Sequence, residues 1–417
     1  MNMAESTSLP KRYVAMDIHK QYVMVGALSA DGEVLLRPRR VGIGRLPEWV
    51  QKHLRSTDEV VIEATTNAWH IYDLIAPLVA RAVVAHPPEV KKIVNARVKT
   101  DERAVVDLAR LLSANLIPEV WVPPVEVRDL RSLIAHRWRL VKTCTMARNR
   151  LHSVVHRNNL IPPEGKLFCQ RNLPWWEEQD FSGTERLRVQ QDLATVAHLE
   201  AQIEAVEQEL ARLSTSRRWA DVAAHLLQIP GFGLITGMTV LGAIGDIERF
   251  PTAKCLVGYA GLGASVHDSG KTHRTGRITK QGRKELRWAL VEAAWAAVRY
   301  DPYWKEQFQA LKRRKHPNVA IVAIARKLLV VVWHVLSKGE SYRHSSEEQL
   351  AFKMLMWSWR LNEESMGDLD RRQFVRSALL RLGIGHDMTR IVRGGRPYRV
   401  ASVEEVLALR PELRPPD

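Results

Sequence analysis

A chain of 417 residues, 46% of them hydrophobic, is long enough for two or three domains with buried cores. Lys and Arg number 62 against 46 Asp and Glu, a net charge of +16, which points to a polyanion and first of all to nucleic acid. Cys144, Cys169 and Cys255 have no CxxC spacing, which argues against a disulfide framework and a zinc site; with no signal-peptide pattern and no unbroken run of about 18 apolar residues, the expectation is a soluble, cytoplasmic protein without a membrane partner.

Residues 11–122 read as an α/β domain. Short β-rich runs at 13–18, 22–28 and 33–41 precede a helical pattern at 46–54, a buried strand at 59–63, a helix at 71–80 and a strand at 82–85. Three antiparallel strands followed by βα units predict a mixed sheet with helices on it. From 125 to 215 the helical period takes over. Val196, Leu199, Ile203, Val206, Leu210 and Leu213 have coiled-coil spacing, and their predicted partner is the helix at 127–155. The basic residues of that helix, Arg148 and Arg150 among them, form either a solvated face on an intramolecular hairpin or a dimerising arm that tracks phosphates. The stretch 162–183 reads as a loop.

At 221–338 a mainly helical unit follows. Ile229-Pro230-Gly231-Phe232-Gly233 before an apolar helix has the form of a helix-hairpin-helix, where Gly231 and Gly233 would let backbone N–H groups approach a phosphate. The stretch 265–287 reads as a polar loop dense in cations, with Lys271, Arg274, Arg277, Lys280, Arg283 and Lys284 as candidate phosphate contacts. Trp288 and Trp295, seven residues apart on an apolar helix, are expected in the core rather than in base stacking. Residues 340–417 form a helical, Arg-rich extension of unknown role.

Three acids stand in informative places. Asp17 follows Val14-Ala15-Met16, Glu63 follows Val60-Val61-Ile62, and Asp101 opens a helix after Lys99-Thr100. A carboxylate at the end of an apolar strand loses hydration, and a bound cation compensates for it. On neighbouring elements of one sheet such acids suit two Mg2+ ions about 4 Å apart acting on a phosphodiester. Ala104 lies three residues after Asp101, where a fourth carboxylate would share its helix face. Asp107 is rotated about 120° from Asp101 and is predicted to be a poor substitute.

Asp17-Ile18-His19-Lys20, Ile62-Glu63-Ala64-Thr65 and Lys99-Thr100-Asp101 resemble the first three acidic motifs of the DEDD transposases of bacterial insertion sequences, a family that includes DNA invertases. Ile229-Pro230-Gly231-Phe232-Gly233, Arg249-Phe250-Pro251-Thr252-Ala253, Tyr259-Ala260-Gly261-Leu262, Ser269-Gly270 and Gly276-Arg277-Ile278-Thr279-Lys280 are similar to its C-terminal motifs, in the family's order. The resemblance covers about 11–335. It implies an RNase H-like, RuvC-like metal-binding nuclease domain at 11–122, a helical coiled-coil or dimerisation region at 125–215 and a transposase serine domain at 221–338. It makes Asp17, Glu63 and Asp101 ligands of two Mg2+ ions and Ser269 the nucleophile of a serine–DNA intermediate. The implied partners are DNA at element ends and target, a structured noncoding guide RNA, and further copies of the chain in a dimer or tetramer, in a bacterial cytoplasm.

The family's fourth acid falls at Ala104. That alanine reads as an inactivating replacement, made by design to trap a nucleic-acid complex, with natural decay as the rival origin. Retained nucleic-acid binding with little or no strand transfer is the expectation. A serine hydroxyl is a weak nucleophile that needs a base or metal, and activation by the N-terminal metal pair would require two domains, of one subunit or two, to meet across the DNA. The rivals are a DNA invertase of the same architecture, a nucleic-acid-binding protein without catalysis, and a Holliday-junction resolvase, which would have no need of Ser269.

Overall fold

A computed structural model describes residues 11–94, 100–269, 272–342, 344 and 346–414, the side chains of 267–269, 272, 273 and 275 excepted. Its contacts define two compact units, 1–124 and 125–417. In the first, β1 (Arg12–Ile18), β2 (Tyr22–Ser29) and β3 (Val34–Gly42) run antiparallel, while β4 (Glu59–Glu63) and β5 (Arg81–Ala85) extend the sheet parallel to β1, in the order β3-β2-β1-β4-β5. Helices α1 (Leu46–His53), α2 (Ala68–Ile75), α3 (Pro87–Ile93) and α4 (Asp101–Ser113) complete the unit. This is the mixed α/β sheet that the sequence predicts. The helix expected at 71–80 begins earlier and gives way at Ala76–Leu78 to a 3-10 turn, since Pro77 has no N–H to carry the α pattern on.

The central strands are apolar throughout because helices cover both faces. Val14, Met16, Ile18, Val60 and Ile62 pack with Leu46, Val50, Ile71 and Ile75. On the opposite face Ala15, Val61 and Val83 pack with Val105, Leu108 and Leu112 of α4. Alternation then fixes the acids. Asp17 and Glu63 have the parity of Ala15 and Val61, so both project to the α4 side at the carboxyl ends of neighbouring parallel strands, which pair with Met16 opposite Ile62.

The second unit opens with an antiparallel hairpin of α5 (Val125–Arg157) and α7 (Gly183–Ser214). Ile134, Leu140, Cys144 and Leu151 are buried on one helix and Val189, Val196, Leu199 and Val206 on the other. Ion pairs Arg137–Glu207, Arg148–Glu200, Arg150–Asp192 and Arg157–Glu185 climb the pair in opposite sequence directions. The acids of α7 thus engage much of the basic face of α5. Residues 162–183 are more than the expected loop: α6 (Leu173–Glu177) lies there, because burying Trp176 and Phe181 at the hairpin's end requires an ordered backbone.

Next come α8 (Ala220–Leu227), α9 (Leu234–Ile244), α10 (Ala253–Tyr259), β6 (Ala264–Ser269), β7 (Thr272–Ile278), α11 (Lys284–Tyr300), α12 (Pro302–Lys312) and α13 (Pro317–Lys338). By length and composition α13 could cross a membrane. Here its Ala320, Ile324, Leu328 and Val332 are fully buried in a bundle with α10 and α11, and Arg326 and Lys327 interrupt its middle. Two expectations are corrected in this region. Much of the polar loop expected at 265–287 is a β-hairpin of β6 and β7, with Val266 opposite Thr275 and Ser269 opposite Thr272, and from Lys284 the stretch belongs to α11; β-branched residues at Val266, Thr272, Thr275 and Ile278 favour strands despite the surrounding charge. Trp288 and Trp295 are not core residues. Each is 42% exposed, because Leu286, Ala289, Leu290, Ala293 and Ala297 supply the buried stripe of α11.

The C-terminal extension consists of α14 (Glu347–Ser358), α15 (Glu363–Met366), α16 (Arg371–Arg381), the hairpin strands β8 (Arg390–Arg393) and β9 (Arg396–Arg399), and α17 (Val403–Leu409). It was expected to be helical and proves to be mixed. Capping boxes at Ser346/Gln349, Asp370/Gln373 and Ser402/Glu405 start three of its helices. Lys353 Nζ donates to the carbonyls of Leu227 (2.8 Å), Ile229 (2.5 Å) and Phe232 (3.1 Å), so a residue of the extension holds the turn between α8 and α9.

Burial pushes the Lys353 ammonium down to about 7, with Asp301 acting in the opposite sense. A lysine whose folded-state pKa is depressed contributes stability that is present above its unfolded value and is lost as pH falls through the window down to about 7. Melting temperature is therefore expected to rise from pH 7 towards pH 10, by an increment that Lys353→Met removes. Scanning calorimetry of both chains across that window checks this, and parallel pH profiles would refute it.

Candidate functional site

The acids predicted from the strand ends meet in one cleft. Asp17 at the end of β1, Glu63 at the end of β4, and Asp101 and Ala104 on the first turn of α4 line a cavity of about 270 Å3, with Lys91, Arg103 and Asp107. Thr100 caps α4 by accepting from the Arg103 N–H at 3.3 Å, which fixes where Asp101 leaves the backbone. Ala104 lies one turn on, on the same wall. Asp107 also lines the cleft, and its Oδ1 lies 3.6 Å from Arg110.

Sequence reasoning missed two residues here. His19 Nε2 stands 3.2 Å from Asp17 Oδ2 and 3.5 Å from Asp101 Oδ2, aligned as a hydrogen bond to neither. Tyr22 donates its hydroxyl to Asp101 Oδ2 at 2.8 Å, stacks on His19 with ring centroids 4.6 Å apart, and lies under the Arg40 guanidinium. His19 is two residues from Asp17 and so shares its side of the strand end, a signal that the sequence does contain. Tyr22 arrives only because the tight β1–β2 turn, closed by the His19 N–H on the Tyr22 carbonyl at 2.9 Å, folds it back.

Burial raises the Asp17 pKa above its ordinary value; the nearby His19 opposes the shift and Asp101 adds to it. The hydrogen bond to Asp101 raises that of the Tyr22 phenol. Asp17, His19 and Asp101 each offer a ligand atom within 4.8 Å of the others. Two carboxylates this close, one of them half-desolvated, with Glu63 on the same wall, make a donor set that fits a hard divalent cation.

In the second unit Ser269 closes β6 opposite Thr272. Its side chain, and all of Gly270 and Lys271, lie outside the described residues. Arg274, Arg277 and Lys280 are exposed on the hairpin and its exit, and Lys284 Nζ lies 4.5 Å over the Trp138 ring. Burial works to raise the Tyr259 pKa, but Arg249, Arg131 and Arg283 prevail and hold it below the usual phenol range. The Tyr259-Ala260-Gly261-Leu262 motif clamps the foot of this hairpin. Gly261 has φ +65°, a Cβ there would come within 2.1 Å of the Gln281 carbonyl oxygen, and Arg287 Nη1 donates to the carbonyls of Ala260, Gln281 and Gly282. Gly231, expected to admit a phosphate, has a packing role: at φ +86° a Cβ would lie 2.0 Å from the Ala293 carbonyl oxygen of α11. Gly233 is exposed at the start of α9.

Residues 14–159 match the family model of the DEDD transposase of IS110, and residues 223–309 match that of the transposase IS116/IS110/IS902 family. The chain is 29% identical over 300 residues to y4qE of Sinorhizobium fredii, named as a transposase, covering 66% of this chain and 74% of that protein. It is 28% identical over 293 residues to the transposase for insertion sequence element IS1111A of Coxiella burnetii, covering 68% and 79%. It is 26% identical over 322 residues to the pilin gene-inverting protein of Moraxella bovis, covering 72% and 87%. By class, these matches place the chain among DNA-cleaving transposases and recombinases. The chain belongs to the DEDD-type family of IS110/IS116 transposases.

Proposed function

We propose that the chain is built to cut and rejoin DNA strands at the ends of an insertion sequence, through a covalent serine–DNA intermediate, as a homo-oligomer guided by a structured noncoding RNA, with Ala104 in the place of a fourth acid holding that activity down. The observation that carries this reading is the convergence of Asp17, Glu63 and Asp101 from three elements on one cleft. Together with the sheet order β3-β2-β1-β4-β5, it supports an RNase H-like assignment of the first unit. These three acids would hold two Mg2+ ions, which neutralise charge on a phosphodiester and favour ionisation of an attacking hydroxyl. Tyr22 orients Asp101 through its hydroxyl, and His19 keeps a polarisable imidazole between the two aspartates.

Ser269 Oγ attacks phosphorus. The new Oγ–P bond forms as the bond from phosphorus to the leaving sugar oxygen breaks, and the proton lost by the serine is balanced by the one the leaving hydroxyl gains. A second strand's hydroxyl reverses the step on the serine-linked phosphate, so the number of phosphodiesters is conserved and no nucleotide is hydrolysed. Arg274, Arg277, Lys280, Arg283 and Lys284 surround the hairpin with cations suited to the DNA backbone. The Moraxella bovis relative favours a second reading, inversion of a DNA segment by the same chemistry.

Labelled element-end DNA, Mg2+ and the element's RNA, run on a denaturing gel, test the assignment in the Ala104→Asp background. A protein–DNA adduct is expected that Ser269→Ala abolishes while binding persists. An adduct that survives Ser269→Ala would remove that residue from the chemistry.

A further inference from the structure

The solvent face of α11 has a composition that its packing does not explain. Lys284, Trp288, Glu292, Trp295 and Arg299 are exposed and form a continuous stripe opposite the buried Leu286, Leu290, Ala293 and Ala297, with the exposed Tyr300 off to one side at the helix end. Each of the two tryptophans is 42% exposed. At one end Lys284 lies over the Trp138 ring, and at the other Phe308 of α12 meets Trp295 edge-on, with centroids 5.6 Å apart. Seven helical residues separate the two tryptophans by about 10 Å along the axis, the span of about three stacked bases.

We propose that this stripe is a stacking platform for single-stranded nucleic acid, with Trp288 and Trp295 against unpaired bases and Lys284 and Arg299 against the phosphates between them. Aromatic faces accept any base and cations follow the backbone, so a strand is held without its sequence being read. A duplex hides its base faces and gains only the electrostatic part. A second copy of the chain is the poorer occupant, since it would bring its own share of the +16 charge against the same cations. RNA and unpaired DNA offer the same chemistry. The platform depends neither on the acidic cleft nor on Ser269.

Fluorescence anisotropy of the full chain with labelled oligo-dT, oligo-rU and a duplex of equal length tests the proposal. Trp288→Ala and Trp295→Ala are each expected to weaken single-strand binding by about 5- to 100-fold. Duplex affinity should change by less than about twofold, since phosphate contacts dominate it. The Phe replacements should retain most single-strand affinity, and Lys284→Ala should reduce the salt dependence of single-strand binding by about one ion. The preference between oligo-rU and oligo-dT identifies the strand. The proposal is overturned by unchanged single-strand affinity in the double alanine variant, by equal losses on duplex and single strand, or by a shift in sedimentation with single-strand binding intact. Circular dichroism confirms that each variant is folded.

Discussion

Ala104→Asp should raise Mg2+-dependent DNA cleavage by about 100-fold or more, the scale on which preorganised charge acts on a transition state. The added carboxylate would stand one turn from Asp101, on the wall that Asp17 and Glu63 already share. It would also lower the Mg2+ concentration needed for half-maximal rate and increase the thermal stabilisation that Mg2+ provides, because only the folded chain presents the cluster. DNA affinity should change by no more than a few-fold, since on the proposed reading the phosphate contacts would come from cations on other elements. Rate against Mg2+ concentration for the two chains, with anisotropy as the binding control, makes the comparison. Equal rates and equal metal dependence would detach Ala104 from the chain's level of activity.

Arg376→Leu is expected to cost about 3–5 kcal/mol of stability. The Arg376 side chain is buried and donates to the carbonyls of Ala401 (2.7 Å), Gly385 and Met388, so that from the middle of α16 one guanidinium holds the loop before β8 and the segment leading into α17. Leucine fills part of the volume but strands those carbonyls away from water, and an unsatisfied buried acceptor costs more than a made hydrogen bond returns. Arg376→Lys should recover only a fraction, since one ammonium cannot span the fork. Urea unfolding measures both. A loss below about 1 kcal/mol for the leucine variant would mean that these carbonyls find other donors.

Most of the first unit was legible in the sequence, because period-two alternation is a local signal. It placed Asp17 and Glu63 at the ends of strands in one sheet, and the register of β1 and β4 adds that both face the side α4 covers. The cleft's other members depend on turns and helix angles. Tyr22 reaches Asp101 across 79 residues, and nothing within a strand-length window announces it. In α11 the misreading had a definite cause: alanine stripes carry little hydrophobic weight, so Trp288 and Trp295 drew the inferred core to the wrong side. The 264–278 hairpin was hidden by its charge, which argues for exposure and says nothing about strand pairing. The role of the extension was out of reach for a simpler reason, since Lys353 acts on carbonyls more than 120 residues earlier in the chain.

The hairpin of α5 and α7 has a mechanical consequence. A helix of 33 residues is about 50 Å long. Near its start Arg131 bolts it to the end of α9, donating to the carbonyls of Gly242 at 2.7 Å and Ala243 at 3.0 Å, while the cross-helix ion pairs brace it along its length. Such a beam works as a lever: tilting its foot by about 5° would sweep the Trp176 end through about 4 Å, more than the rise of one nucleotide. A tilt of a few degrees at α9 would thus be read out at the far end as a step of about one nucleotide rise.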